Sequence, residues 1–353
     1  MSAPRFDVAP RCLFLGLAGS QAHGTAGPES DLDVRGVCTP PLAARLSYRE
    51  AFEQYEGALP EALFASIRDK LTPAQLHAAG SVKLECVIFD LTKFVRLCSQ
   101  SNPNTLEILF TPEDAWLLVH PLWRRLHAER RRFLSLQAER SHVGYALNQL
   151  QRIKTHRGWL LNPPKAQPAR QSFGLPAEAT LNRADRQRIQ QAIANRIADW
   201  DIEASDATEA LATESLGLPQ GVVDALAAER RYRAAMRQWE AYRTWQKQRN
   251  PARAALEAQH GYDTKHAMHL VRLSRMAVEI LEHGEVRVRR DDRDELLAVR
   301  DGAWSYDALL EHAEALRGRI AAAKAASALP DAPDERALDD LCVELIEAEL
   351  RCR

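Results

Sequence analysis

The sequence predicts an α+β fold in which a small mixed β-sheet is followed by a mostly α-helical remainder. Three observations carry that expectation. Strand-like apolar runs are confined to the N-terminal part of the chain, ahead of Asp90. From Trp116 onward Ala, Leu, Arg, Glu and Gln dominate, with apolar positions three and four apart. At 353 residues the chain also exceeds the roughly 250 to 300 at which a single hydrophobic core stops growing, so at least one domain boundary is expected.

Taken in order, Cys12 to Leu17 is a continuous apolar run stopped by Gly19-Ser20, the pattern of a strand covered on both faces. Leu32 to Val37 alternates apolar and charged residues and halts at Pro40-Pro41, as a strand with one polar face does. Val82 to Phe89 is the third strand expected. A helix follows over Leu91 to Ser99, Asn102-Pro103-Asn104 breaks it, and a second helix runs from Thr105 to Phe110. Helical periodicity then marks 141–154, 221–246, 265–283 and 305–325, interrupted by a Pro-rich break at 162–168 and by a turn-rich acidic stretch from Ser327 to Glu335.

Composition limits the function classes. A 46% hydrophobic, 27% charged chain with mean hydropathy of −0.37 and no apolar run of spanning length has no membrane partner. The net charge of −1 excludes a polybasic binder of the histone kind, so affinity for polyanions has to come from local clusters. The six cysteines form no C-x-x-C pair and most sit singly inside apolar stretches, so no zinc site is expected. With no basic leader ahead of the short Leu13 to Ala18 run, a reducing cytoplasmic location is expected.

The densest chemistry lies between Ala18 and Val34. A buried strand delivers the chain to Gly19-Ser20, where Gly19 lets a phosphate approach the backbone and Ser20 can cap a short helix. Asp31 and Asp33 then stand two apart on an expected strand, so both carboxylates project from one face while Leu32 and Val34 enter the core. Two carboxylates that close repel unless a divalent cation lies between them, and hard oxygen ligands favour Mg²⁺ or Mn²⁺. A solvent-facing acidic pair is the bland alternative, and the Gly-Ser turn ahead of it weighs against that. A third carboxylate is sought on a neighbouring strand; Glu85, mid-strand among apolar residues, is favoured over Asp90, which stands where an aspartate caps the next helix.

The combination of buried strand, Gly-Ser, spacer and Asp-Leu-Asp-Val resembles the polymerase-beta nucleotidyltransferase superfamily. Four stretches narrow the resemblance to the RNA-repair-pathway polymerase-beta-like proteins, which include RNA-ligase-associated nucleotidyltransferases: GSQAHGTAGPESDLDVRGV (19–37), ECVIFDLTKFVRLCSQSNPNTLEILF (85–110), HVGYALNQLQRIKTHRGWLLNPPKAQPARQSFGL (142–175) and GYDTKHAMHLVRLSRMAVEILEHG (261–284). One departure is Glu85, where that family usually has Asp, which keeps the charge and lengthens the ligand arm. The resemblance implies a catalytic domain over 1–115 and a helical nucleotide- and acceptor-binding domain over 116–353. It further implies a metal-dependent transfer from an NTP, ATP first among them, with Asp31, Asp33 and Glu85 as catalytic metal ligands. Gly19, Ser20 and His23 are then expected at the nucleotide. RNA is the expected partner, with an RNA ligase pathway protein beside it.

Two helical stripes extend this site. Arg124 to Arg170 is strongly basic, with only Glu129 and Glu139 against it, and is interleaved with Trp123, Tyr145, Trp159 and Phe173. Within it Tyr145, Gln149, Arg152 and His156 step by four, three and four along one face, with Arg157 adjacent, a pattern suited to an RNA acceptor. Lys265, His269 and Arg272 share a face of the later helix and read as three cations suited to a triphosphate, with a functionless surface stripe as the alternative. Two further functional readings stay open: transfer to a protein or small-molecule acceptor, and a non-catalytic RNA-binding protein of the same fold.

Overall fold

Complete burial of Cys12–Leu17 makes β1 a central strand, covered on both faces. In the computed structural model, which describes residues 6–27, 30–81, 84–178, 183–199, 206–217 and 220–351, β1 leads into a short helix, α1 (Gly19–His23). The chain continues through β2 (Val34–Cys38), α2 (Leu42–Arg45), β3 (Gln54–Ala58), α3 (Glu61–Ile67) and α4 (Pro73–Ser81) to β4 (Glu85–Asp90). Helices α5 (Leu91–Ser99) and α6 (Pro103–Leu109) precede β5 (Trp116–Val119). The five strands form one sheet in the order β3-β4-β2-β1-β5, with β2 and β4 parallel and the other neighbours antiparallel.

The remainder is helical, as expected: α7 (Pro121–Ala128), α8 (Gln137–Leu161), α9 (Arg183–Asp199), α10 (Asp206–Ser215), α11 (Gln220–Gln248), α12 (Pro251–His260), α13 (Thr264–His283), α14 (Arg293–Arg300), α15 (Tyr306–Ala326) and α16 (Glu335–Arg351). The α+β class therefore holds. The Pro-rich stretch after α8 is irregular, since proline lacks the amide a helix interior needs. No helix among the described residues is long and apolar enough to cross a membrane.

Cap chemistry fixes where the helices begin. Asp90 accepts from the Thr92 amide at 3.1 Å to start α5, and Asn102 accepts from the Asn104 and Thr105 amides to start α6 with Pro103 at its first position. Asp263 accepts from the His266 amide at 3.0 Å to start α13, which Gly284 ends in the left-handed region.

Two cores flank the sheet. On one face Leu15, Leu17, Val34 and Ile88 meet Leu63 and Ile67 of α3. On the other, Phe14 stacks on Trp123 of α7 at 3.9 Å between ring centroids, and Val37 joins side chains of α5, α6, α13 and α16. By packing, residues 1–157 with 256–353 form one unit and 158–255 a second. The position after residue 115 lies inside the first unit, because β5 pairs with β1 and α16 packs on α5 and α7. The second unit has its own small core of Ile193, Ile197 and Ala212, and an aromatic group of Trp159, Trp239, Tyr242 and Trp245.

Candidate active site

The site is built where β1 turns into α1. The Ala18 amide donates to the Asp33 carbonyl at 2.9 Å, which carries the β1–β2 pairing one step past the strands and sets Asp33 across from Gly19. Gly19 has φ of +55°, and a β-carbon there would lie 2.7 Å from Asp33 Oδ2, so both its backbone conformation and its neighbour demand glycine. Ser20 lies within α1 rather than at its cap, which is Ala18, with no side-chain cap bond. This corrects the capping role expected of Ser20: the cap lies two residues earlier, at an extended Ala18.

Residues 31–33 precede β2 instead of belonging to it, a second correction, since the ladder to β4 begins only at Val34. The alternation survives without the ladder: Leu32 and Val34 are buried, Asp31 is exposed, and Asp33 is partly exposed with Arg35 Nη2 donating to its Oδ1 at 3.4 Å. On the neighbouring strand, Val34 pairs with Cys86, so residue 85 stands one step before that pair, as residue 33 does. The side chain of Glu85 lies outside the described residues, as do Val82 and Lys83 of the expected third strand, which begins at Glu85. Asp90, the rival carboxylate, is committed elsewhere: it caps α5 and accepts from Arg45 Nη2 at 2.9 Å.

A cavity of about 580 Å³ opens on the side of the sheet that carries α6, α8 and α13. Gly19, His23 and Asp33 line it, with Arg35, Gln54, Val87 and Phe89 from the sheet and Glu107 and Thr111 from α6 and its end. Tyr145, Gln149 and Arg152 of α8 and His266, His269 and Arg272 of α13 also line it. Both helical stripes found in the sequence thus reach the same cavity as the Gly-Ser turn, although they lie more than a hundred residues further along the chain. Asn102, which caps α6, also donates from Nδ2 to the Tyr145 hydroxyl at 3.1 Å and so orients that ring.

Five expected residues among those described stand apart from this lining, Ser20 of α1 being one. Asp31 and Lys265 are exposed. His156 Nδ1 faces Asp263 Oδ2 at 3.4 Å. Arg157 donates to the Gly261 carbonyl at 2.8 Å and lies 4.3 Å over the Tyr306 ring, so it braces the start of α13.

The buried centre of the cavity wall is one that sequence reasoning missed. Glu107 of α6 accepts from Arg272 with one carboxylate oxygen, and its other oxygen lies 2.8 Å from His23 Nε2. Burial alone pushes the Glu107 carboxyl up, but Arg272 and His23 outweigh it and hold the group well below the usual carboxylate range. Burial, reinforced by Arg272, lowers the pKa of His23 despite the pull of Glu107. Burial and then the Arg272 and Lys265 charges bring His269 down to about 3, so it is neutral at physiological pH. The three-cation stripe expected of α13 is corrected accordingly: His269 carries no charge, Arg272 is neutralised by Glu107, and only Lys265 is an exposed cation.

Helix α1 and the loop after it are gripped from the C-terminal side. Arg289 donates to the Gln21 carbonyl at 3.3 Å, Arg293 to the Gly24 carbonyl and Arg300 to the Thr25 carbonyl at 3.2 Å. Nothing local in 289–300 signals this, because the acceptors are backbone carbonyls far away in sequence. Glu107 did leave a trace: it is an acid between Leu106 and Ile108, both buried, where an unpaired carboxylate is costly.

Comparison with known proteins gives one family match. No curated protein and no solved structure gives a match. Residues 4–159, which include β1, α1, the carboxylate segment, α6 and most of α8, match a family of polymerase-beta-like nucleotidyltransferases. The family that this portion of the chain matches is the RNA repair pathway DNA polymerase beta family.

Proposed function

We propose that this chain is a metal-dependent nucleotidyltransferase that moves a nucleoside monophosphate from an NTP, ATP first among candidates, to a hydroxyl at an RNA end. One observation supports it most: a single cavity gathers the Gly19 turn, the Asp33 carboxylate, the cationic and aromatic face of α8 and the His269–Arg272 face of α13. Their sequence separation leaves few bland reasons for such convergence.

Asp33 is the donor whose surroundings fit a hard divalent cation. Asp33 is a partly exposed carboxylate on the cavity wall, its ion-pair partner Arg35 lies at a long 3.4 Å, and Gly19 keeps the space beside Oδ2 free of a side chain. Asp31, Asp33 and Glu85 would hold Mg²⁺ or Mn²⁺, which when bound neutralises triphosphate charge and lowers the pKa of an attacking hydroxyl.

The chain's own residues do the rest. Gly19 leaves the backbone open to phosphate oxygens, and Arg272, its guanidinium fixed by Glu107, offers its remaining donors to the same charge. His23, below its usual pKa, and neutral His269 act as hydrogen-bonding groups and not as counter-ions. Tyr145 and Arg152 present a stacking face and a phosphate-binding charge to the acceptor.

The test is incubation of the purified protein with each labelled NTP, Mg²⁺ and pooled RNA, followed by identification of the labelled species. Asp33→Asn is expected to lower transfer at least about a thousandfold, the scale of several kcal/mol of lost charge stabilisation, with an unchanged melting profile. Label entering protein or a small molecule instead of RNA would move the acceptor, and substantial activity in Asp33→Asn would remove the metal assignment.

A further inference from the structure

Beside the cavity, and separate from the carboxylates at Asp33, α8 and the start of α13 bring His156, Asp263 and His266 together. One ligand atom from each lies within 4.8 Å of the other two. Asp263 Oδ2 is 3.4 Å from His156 Nδ1 and 3.6 Å from His266 Nε2. Both separations are longer than the 2.7 to 2.9 Å, or about that, expected of a charge-assisted hydrogen bond between imidazolium and carboxylate. They are, however, the edges of a coordination tetrahedron, because ligands about 2.0 to 2.1 Å from one ion lie about 3.3 to 3.4 Å apart.

The surroundings orient all three groups for the same purpose. His266 Nδ1 is 2.7 Å from Gln149 Oε1, an oxygen that can only accept, so Nδ1 carries the proton and Nε2 is the ring's ligand atom. A ligating histidine anchored through its other nitrogen to a carbonyl oxygen is the usual arrangement around a protein-bound transition metal. Asp263 is oriented too: its Oδ1 accepts from the His266 amide, while Oδ2 is the oxygen directed at both imidazoles. The Asp263 side chain is fully buried, whereas the two histidine side chains keep 12% to 16% exposure and His266 lines the cavity.

We propose that His156, Asp263 and His266 form a site for a divalent transition-metal ion, Zn²⁺ in the first instance, with a fourth position open toward the cavity. Two imidazoles and one carboxylate suit Zn²⁺ far better than Mg²⁺, which prefers six oxygens. The site is distinct from the proposed catalytic carboxylates in both residues and ligand chemistry. In this setting the ion fastens the first turn of α13 to α8 and presents a Lewis-acidic position to whatever enters the cavity.

The experiment uses the full chain, stripped with a chelator and titrated with Zn²⁺ against a chromophoric competitor, with millimolar Mg²⁺ present throughout. One Zn²⁺ per chain is expected. His156→Ala and His266→Ala should each weaken it about a hundredfold or more, Gln149→Ala about tenfold to a hundredfold, and Asp33→Asn not at all. Circular dichroism reports whether each variant is folded. Co²⁺ loaded into the wild type should give the visible spectrum of a tetrahedral ion with nitrogen and oxygen ligands and no thiolate charge-transfer band, a readout independent of the variants. Wild type that binds no Zn²⁺, affinity retained in the His156→Ala, His266→Ala double variant, or a thiolate band from a cysteine would each overturn the site. Because nothing in this assay depends on nucleotidyl transfer, its failure and that of the transferase reading are told apart.

Discussion

Asp33 Oδ2 stands 2.7 Å from the point a β-carbon on Gly19 would occupy, so these two residues specify one another. The Gly19→Val variant therefore has two separable defects. Forcing a side chain into the left-handed region costs about 1 to 2 kcal/mol of stability. Displacing the Asp33 carboxylate should raise the apparent nucleotide Kd about tenfold or more, a loss of about 1.4 kcal/mol, while RNA affinity stays near wild type. Equilibrium binding of each ligand to the variant checks this, and loss of RNA binding alone would put the turn outside the nucleotide site.

Glu107 and Arg272 form a largely buried charge pair to which His23 is joined. Glu107→Gln leaves the Arg272 guanidinium without its counter-charge and should cost about 3 to 5 kcal/mol in urea unfolding. Removing both charges in Glu107→Gln, Arg272→Gln should cost clearly less than the sum of the single losses. Additive losses in this double-mutant cycle would show that the pair is not coupled.

Acid should destabilise the fold through histidines buried in neutral form. Burial brings His142 from the usual 6.5 down to about 4, against the opposing effect of its hydrogen bond to the Ala138 carbonyl. As pH falls through 6.5 the unfolded chain takes up this proton while the folded chain refuses it until about 4, so stability declines across that window. The contribution is about 3 kcal/mol by linkage. Urea midpoints at pH 7 and pH 4.5 should converge in His142→Leu relative to wild type; an equal acid loss in both would assign the effect to other groups.

Arg152 and Arg157 are neighbours in sequence with different duties. Arg152 lines the cavity, whereas Arg157 is spent on the Gly261 carbonyl and the Tyr306 ring. If RNA tracks along α8, Arg152→Glu should flatten the log–log salt dependence of binding by about 0.7 to 1.4. Arg157→Ala should leave that slope alone and lower stability by about 1 to 2 kcal/mol. Salt titrations of labelled RNA against both variants decide between them.

The contrast between these arginines marks how far the sequence could be read. Periodicity located β1, α5, α8, α13 and α15 because each buries one face or all of itself, and that leaves a pattern in the residues. It did not reveal β3, whose Gln54–Ala58 is an edge strand with little buried surface, or β5, which has four residues at the point where composition turns helical. Spacing put Gly19 and Asp33 at one site, and Tyr145, Gln149, Arg152, His269 and Arg272 reach it as well. Spacing along a helix could not tell which cations are neutralised, since Glu107 lies 165 residues before Arg272. The same limit hid Asp263, whose place between His156 and His266 depends on two helices meeting.

The partners of Glu107 also set a timetable for synthesis. His23 is made 84 residues before it and Arg272 165 residues after it. At about 5 to 20 residues per second, the carboxylate waits roughly 8 to 33 seconds on the ribosome for its guanidinium. During that interval the sheet can assemble, since its last strand ends at Val119, but its floor carries an acid with no counter-charge. A chain truncated before Arg272 lacks the guanidinium that neutralises this carboxylate.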